Sequence, residues 1–250
     1  MDNPTSIGIV WPGPATPEDI AETRRFMPPG VGLHMVGTRP PADADLAVGI
    51  TIERLLRMPG DSNIEDAARE LVPMGAAAIV YGCTSASYIR GVGGDTDIAD
   101  RINAVTGLPA TTTSSAAVSA LRHLGARRIS VLSPHVDELN ERLHRFLAGS
   151  GFEVVHLRGL NKLSAIEDIP QEDIRQLVLQ LVDRPDADGV FISCTGMRTS
   201  SILDSLEEET GKPVVSAMQA SVWEVLLKAG LTPEVSGIGS LFRQPALQPA

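Results

Sequence analysis

Short apolar runs alternate with longer amphipathic stretches along nearly the whole chain. The runs at 6–11 (SIGIVW), 32–37 (GLHMVG), 76–82 (AAAIVYG), 128–133 (RISVLS), 152–157 (FEVVHL), 189–194 (GVFISC) and 213–217 (PVVSA) have the length and β-branched content of buried strands. Between them, 64–71, 136–147, 174–182 and 201–209 carry apolar residues at helical spacing. Thr16-Pro17-Glu18-Asp19 reads as a helix start, with a capping hydroxyl, proline in the first position and acids in the first turn. Repeated strand–helix units predict an α/β fold of parallel sheets flanked by helices, with ligands at the carboxyl ends of the strands.

The pattern also repeats. GAAAIVYGCTSASYIRG is followed by TGLPATTTSSAAVSALRHLGARRISVLSP, and later DADGVFISCTGMRTSSI is followed by TGKPVVSAMQASVWEVLLKAGLTPEVSGIGSLF. Each copy is expected to run strand, Cys-Thr turn, helix, Thr-Gly-x-Pro, strand and helix. Two copies of one unit predict two similar lobes about an approximate two-fold axis, with equivalent strand ends facing across a cleft. The first lobe is expected over residues 1–113 plus 218–250, and the second over 114–217.

Composition narrows the function. The 250 residues are 43% hydrophobic and 21% charged, within the range of soluble globular enzymes, and aromatics at 4% leave the core to Ala, Val, Leu and Ile. A formal net charge of −10 argues against nucleic acid or an anionic membrane as partner. A small acidic substrate would need a local field from helix N-termini or backbone N–H groups. No apolar run is long enough to span a bilayer, and MDNPTSIGIVWPG lacks the plan of a signal peptide. A cytoplasmic location with free thiols is therefore expected.

The chain has two cysteines, Cys83 and Cys194, and both end a strand-like run and precede a threonine within the repeat. Buried filler is the ordinary reading of a lone cysteine; equivalent placement of both favours a paired chemical role. Facing thiols can move a proton between the two faces of a carbon acid, or one thiolate can add to an electron-poor double bond, allow rotation and leave. Both routes need a thiolate, which a helix N-terminus at each strand-to-helix turn would favour. The hydroxyls and N–H groups of Thr84, Ser85, Thr195 and Gly196 suit a carboxylate or its enolate-like form. Metal ligation is not expected, since neither CxxC nor HxxxH occurs.

Among other residues, His135 is either a carboxylate ligand or general acid, or a solvent-facing residue at a helix start. Arg198 either pairs with an acidic substrate or is solvated. RGVGGDTD (90–97) lacks a phosphate-binding fingerprint and reads as a flexible turn near the cleft; Ser114 and Ser115 read as helix caps, Trp223 as core, and 243–250 as a disordered tail. No Gly-x-Ser-x-Gly elbow anchors serine hydrolase chemistry.

Taken together, the Cys-Thr-Ser turn, the later Ser-Cys-Thr-x-x-Arg-Thr, GKPVVSAMQASVWEVLLKAG, HVDELNERLHRFL and GLPATTTSSAAVSALRHLGARRISV resemble the Asp/Glu racemase superfamily, in the branch of maleate cis–trans isomerases and arylmalonate decarboxylases. The resemblance implies two Rossmann-like (flavodoxin-like) lobes, an active site between them and no cofactor. It implies Cys83 as nucleophile or first base and Cys194 as acid on the opposite face. Thr84, Ser85, Thr195 and Gly196 would bind the carboxylate, and His135 stands where the family's substrate-contacting tyrosine is found. Decarboxylases carry glycine at the place of Cys83, so the cysteine pair favours a cofactor-independent isomerase or racemase of a small carboxylic or dicarboxylic acid. Ala15 stands where isomerases have a first-loop asparagine, and a second falls near Asn161 or Leu163. The resemblance further implies association into a homo-oligomer. The rivals are a decarboxylase with Cys194 as proton donor, a bilobal small-molecule binding protein and, more weakly, a redox pair.

Overall fold

Strands buried on both faces cannot be satisfied by a hairpin with one wet side; they require parallel pairing under helices on both faces. The computed structural model, which describes residues 5–39, 51–60, 63–182 and 186–243, has this arrangement twice. Strands β1 (Ser6–Trp11), β2 (Gly32–Gly37), β3 (Ala76–Tyr81) and β4 (Ala110–Thr112) form a parallel sheet of order β2-β1-β3-β4. Strands β5 (Arg128–Ser133), β6 (Glu153–Gly159), β7 (Gly189–Ile192) and β8 (Val214–Ser216) form a second of order β6-β5-β7-β8. The two orders are the same order. In both sheets the chain leaves the first strand toward one edge and the third toward the other, so a switch point lies between them, where ligands bind in open α/β sheets.

The expected helix start is present: α1 (Pro17–Arg24) has Thr16 as N-cap in a reciprocal capping box with Asp19. The helices that follow are α2 (Ile52–Arg57), α3 (Asn63–Leu71), α4 (Thr84–Tyr88), α5 (Gly94–Thr106), α6 (Thr113–His123), α7 (Asp137–Gly149), α8 (Gln171–Val182) and α9 (Leu203–Thr210). The last helix, α10 (Ala217–Lys228), returns to the first sheet. Its Ser221 hydroxyl donates to Thr113 Oγ1 (2.9 Å), and its Glu224 carboxylate accepts from Thr111 (2.6 Å) and Ser119 (2.9 Å). Trp223 is buried, as expected of a core residue, with its ring 5.1 Å from that of His123.

Three local expectations change. The stretch 90–97 is a turn only through Gly93, after which it is the first turn of α5. Ser114 and Ser115 do not cap α6; Thr112 does, accepting from the Ser115 N–H at 3.2 Å, while the Ser115 hydroxyl reaches Asp95 at 2.7 Å. The turn after the second cysteine does not lead straight into a helix, because residues 195–202 form irregular turns and α9 begins at Leu203. The tail beyond residue 243 lies outside the described residues.

The short helix α4 is too brief to hold itself in place. Ser87, fully buried, fastens it: its hydroxyl contacts the Cys83 carbonyl (2.7 Å), the Thr84 carbonyl (2.9 Å) and Ser114 Oγ (2.8 Å), tying α4 to the start of α6. Ser87→Ala leaves these buried acceptors and the Ser114 N–H short of a partner. It is expected to lower stability by about 1–3 kcal/mol, read as a reduced urea midpoint at unchanged slope.

Candidate active site

Each cysteine lies just past the third strand of its sheet. Tyr81 is the last residue of β3, Gly82 follows, and Cys83 is the N-cap of α4 with extended backbone angles (φ −133°, ψ 109°). Ile192 ends β7, then come Ser193 and Cys194. The Thr195 hydroxyl donates to the Gly82 carbonyl at 3.1 Å, so the residue after one cysteine bonds the residue before the other across the two sheets. The sulfurs are close enough that a charge on Cys83 would raise the pKa of Cys194.

Their surroundings differ. Burial pushes the Cys83 thiol up, opposed by the Ala86 N–H, the Ser85 hydroxyl (Sγ to Oγ 3.8 Å), the Tyr81 phenol and the charge of Arg54. Burial pushes Cys194 up to about 12; the N–H groups of Gly196 and Met197 oppose this, and negative charge on Cys83 or Glu167 adds to it. Without a helix immediately behind it, Cys194 relies on those two N–H groups. It also holds φ at +106°, a region that costs a non-glycine residue about 1–3 kcal/mol and that recurs at functional sites. Cys83 therefore has the more stabilising surroundings for a thiolate, and Cys194 is held as a protonated thiol at neutral pH.

Several buried polar atoms have nothing to bond. Thr84 Oγ1, Tyr88 OH, both ring nitrogens of His135, Asn140 Oδ1 and Ser193 Oγ are buried without a hydrogen-bond partner; Glu65, His123, Arg142 and Trp223 carry such atoms elsewhere. Buried polar groups are normally paired. Among these exceptions, Thr84, His135 and Ser193 lie just past the carboxyl ends of β3, β5 and β7. Ser85, Thr195 and Gly196 occupy the same two turns, although the Thr195 hydroxyl is already engaged by Gly82.

His135 is fully buried, so its solvent-facing reading is overturned. The loop after β5 is pinned around it: its own N–H donates to Ser133 Oγ (3.3 Å), and its carbonyl accepts from Asn140 Nδ2 (2.9 Å) and the Asn161 N–H (3.3 Å). A Cβ at Gly159 would come within 2.9 Å of that carbonyl oxygen, so glycine is needed there. Asn161, in the left-handed region (φ 56°), serves this loop through its backbone, while Leu163 is exposed. Arg198 is partly buried, and its Nε has no partner.

Sequence reasoning passed over both tyrosines. The chain has only two tyrosines, and both lie within five residues of Cys83. The Tyr88 phenol is pushed up by burial and by the proximity of Cys194 and then Cys83, so it is a neutral donor placed by both sulfurs.

A family model for arylmalonate decarboxylase matches residues 46–242. The chain belongs to the arylmalonate decarboxylase family. It is 35% identical over 185 residues to the arylmalonate decarboxylase of Bordetella bronchiseptica, covering 72% of this chain and 77% of that protein. It is 31% identical over 190 residues to a maleate isomerase of Nocardia farcinica, covering 72% of each. Among solved structures, a liganded arylmalonate decarboxylase double mutant, with one glycine changed to cysteine and one cysteine to serine, superposes with a TM-score of 0.82 at 28% identity over 95% of this chain and 98% of that one. A maleate isomerase of Pseudomonas putida gives 0.83 at 25% identity over 95% and 98%. Membership of this family makes the chain an enzyme with the expected two-sheet α/β fold, and its relatives divide between decarboxylase and cis–trans isomerase. No helix of the described residues is long and apolar enough to cross a membrane.

Two outcomes follow from the buried groups. Burial depresses the His135 pKa to about 4, against about 6.5 for the unfolded chain. The unfolded state then binds the proton more readily, so the contribution is complete above about pH 6.5 and lost as pH falls through about 4. It amounts to roughly 3 kcal/mol, and His135→Gln should remove that part of the pH dependence in urea titrations. Tyr88→Phe deletes an unpartnered buried hydroxyl and should raise stability by about 1 kcal/mol while lowering turnover, seen by urea titration and steady-state assay.

Proposed function

We propose that the chain is a cofactor-independent isomerase or racemase of a small carboxylic or dicarboxylic acid, acting in the cytoplasm through Cys83 and Cys194. The observation that carries this reading is the pair of thiols on equivalent strands, joined by the Thr195–Gly82 bond and in electrostatic contact. Cys83, with three donors about its sulfur, is the nucleophile or first base, and Cys194 is the acid. Thr84, Ser85, Thr195, Gly196 and the neutral imidazole of His135 bind the carboxylate through uncharged donors, which suits a chain whose global charge opposes an anion.

Two forms of the reaction fit the pair. With a saturated acid, the Cys83 thiolate takes the α-proton, the electron pair passes into the carboxylate, and the Cys194 thiol returns a proton to the opposite face. With a cis-alkene diacid, the thiolate forms a C–S bond as the π bond breaks, the carbons rotate, and the C–S bond breaks to restore thiolate and alkene. The likeness to the Nocardia maleate isomerase supports the second form.

Decarboxylation is the second reading. It is favoured by the match to the Bordetella decarboxylase and by Cys194 being a protonated thiol as it stands. There the C–CO₂ bond breaks, CO₂ departs, and Cys194 protonates the enediolate left behind.

Proton NMR in D₂O with maleate, α-substituted acids and an arylmalonate, run on wild type, Cys83→Ser and Cys194→Ser, separates these readings. The two-thiol reading expects both variants to lose about 100-fold or more in kcat. It also expects kcat/KM to rise with pH without levelling off at the ordinary thiol range, because burial raises the Cys83 thiol in the free enzyme. Fumarate formed without solvent deuterium identifies addition and rotation; deuterium at the α-carbon of recovered substrate identifies proton transfer. Full activity in Cys83→Ser, with CO₂ release and a flat profile, overturns the proposal in favour of the decarboxylase.

A further inference from the structure

Glu22 lies on α1, far in sequence from either cysteine, and is nearly buried at 8% exposure. Its carboxylate does not face solvent or a guanidinium. Oε1 accepts from the Thr199 N–H at 2.7 Å and the Ser200 N–H at 2.8 Å, and Oε2 accepts from the Ser200 hydroxyl at 2.7 Å. These donors belong to the irregular stretch between β7 and α9, the stretch that begins with Cys194.

That stretch is also held at other points: the Ser193 N–H donates to the Leu132 carbonyl (2.8 Å), the Thr195 hydroxyl to the Gly82 carbonyl (3.1 Å), and the Ser201 hydroxyl bonds Gln171. Its one hydrogen bond back to the Cys194 carbonyl, from the Met197 N–H, is long at 3.3 Å, and Cys194 occupies a costly φ. Residues 199–202 turn on the Ile202 N–H to Thr199 carbonyl bond (3.0 Å), and the Thr199 hydroxyl reaches Ser216 Oγ (2.9 Å), at the cap of α10. Two consecutive N–H groups and a hydroxyl directed at one carboxylate are charge-assisted bonds, shorter and stronger than neutral ones. Glu22 is therefore the contact that joins this stretch to the first sheet's half at its far end, as Thr195 joins it at its near end. Since α1 follows β1 and the 12–15 loop, the same carboxylate also links the second cysteine's turn to the loop at the first sheet's switch point.

We propose that Glu22 is a positioning residue for Cys194: clamping Thr199 and Ser200 to α1 sets where the second thiol stands relative to the first. The proposal rests on the two-thiol reading and adds to it a residue that touches neither substrate nor sulfur. The clamp is geometric, so the amide of Glu22→Gln can keep it: its oxygen accepts both N–H groups and its NH₂ donates to the Ser200 oxygen. Glu22→Ala loses all three bonds, and Glu22→Asp, one methylene shorter, cannot hold all three.

The test combines turnover with cysteine mapping on the full chain. Wild type, E22Q, E22D and E22A are assayed for kcat and KM on whichever acid of the NMR panel is converted. Each is also pulsed with iodoacetamide under conditions where circular dichroism shows it folded, and the two cysteine peptides are quantified by mass spectrometry. E22Q is expected to stay within about threefold of wild type, and E22A to lose about 10–100-fold in kcat with a smaller change in KM, the size of effect seen when a reacting group is misplaced by about an ångström. Cys194 should alkylate about threefold or more faster in E22A, with Cys83 unchanged. Equal acceleration at both cysteines would mean general loosening and would overturn the proposal, as would wild-type kcat with unchanged alkylation. Should E22A not fold, E22D carries the test, and wild-type kcat and labelling in E22D overturn it. Activity that survives Cys194→Ser, with alkylation still selective in E22A, sinks the two-thiol reading but not the clamp.

Discussion

Everything at the cleft depends on a carbonyl that its own sheet cannot satisfy. The Gly82 N–H still pairs with the Val10 carbonyl at 2.8 Å, but β3 has ended and the Gly82 carbonyl has no ladder partner left. A buried carbonyl needs a donor, and the Thr195 hydroxyl of the other sheet supplies it. Because the bonded residues are the immediate neighbours of Cys83 and Cys194, the approach of the two thiols is set by backbone and a short side chain. A Cβ on Gly82 would meet side-chain atoms of Ile9 and Trp11 on β1 at 3.0 Å, tighter than ordinary packing. One small residue thus packs against the first strand while offering its carbonyl to the opposite sheet.

Desolvation then governs the chemistry. Both thiols are raised by burial, so the resting pair is protonated and its ionisation is coupled: charging Cys83 makes Cys194 harder to ionise. That asymmetry is what a two-face reaction uses, one sulfur charged and the other neutral. The buried hydroxyls and the neutral imidazole of His135 add uncharged hydrogen-bonding groups to the charge of Arg54, which acts on Cys83. In a water-poor cleft such donors act at close range and need no reorganisation as charge develops. On the proposed reading an acidic protein receives an acid through local recognition, and the global field of −10 is left to solvent and counterions.

How much of this could be read from sequence follows from which forces are local. Strand and helix positions were legible because burial on both faces leaves unbroken apolar runs, and the cysteines were legible because the repeat placed them alike. The run ending at Cys194 hid a difference: β7 stops at Ile192, and the turn to α9 is longer than its counterpart at Cys83. Apolar periodicity cannot register that, since Ile202 and Leu203 are buried whether the residues before them are helix or turn. The caps at Ser114 and Ser115 were misplaced by two and three residues because Thr112, Thr113, Ser114 and Ser115 are all capable caps, and only tertiary contacts choose among them. His135 was ambiguous for a similar reason. Its burial comes from Asn140 and the backbone of Asn161, contacts that no local pattern announces.

Glu22 was the least visible of all, and the reason is general. A glutamate on an amphipathic helix carries no signal of burial, and its partners are N–H groups that every residue but proline has. Its surroundings nonetheless make it a point of leverage. A cysteine at φ +106° and a set of unpartnered hydroxyls are each unfavourable alone, and such features persist only where the surrounding structure over-determines them. The Thr195–Gly82 bond holds one end of the strained turn and the Glu22 carboxylate the other, while Ser87 fastens the turn that carries Cys83. The site is therefore a locally costly arrangement held by a few strong polar contacts around it. A substitution can leave the fold intact and still move a sulfur, and this is why contacts remote from both cysteines carry information about the reaction.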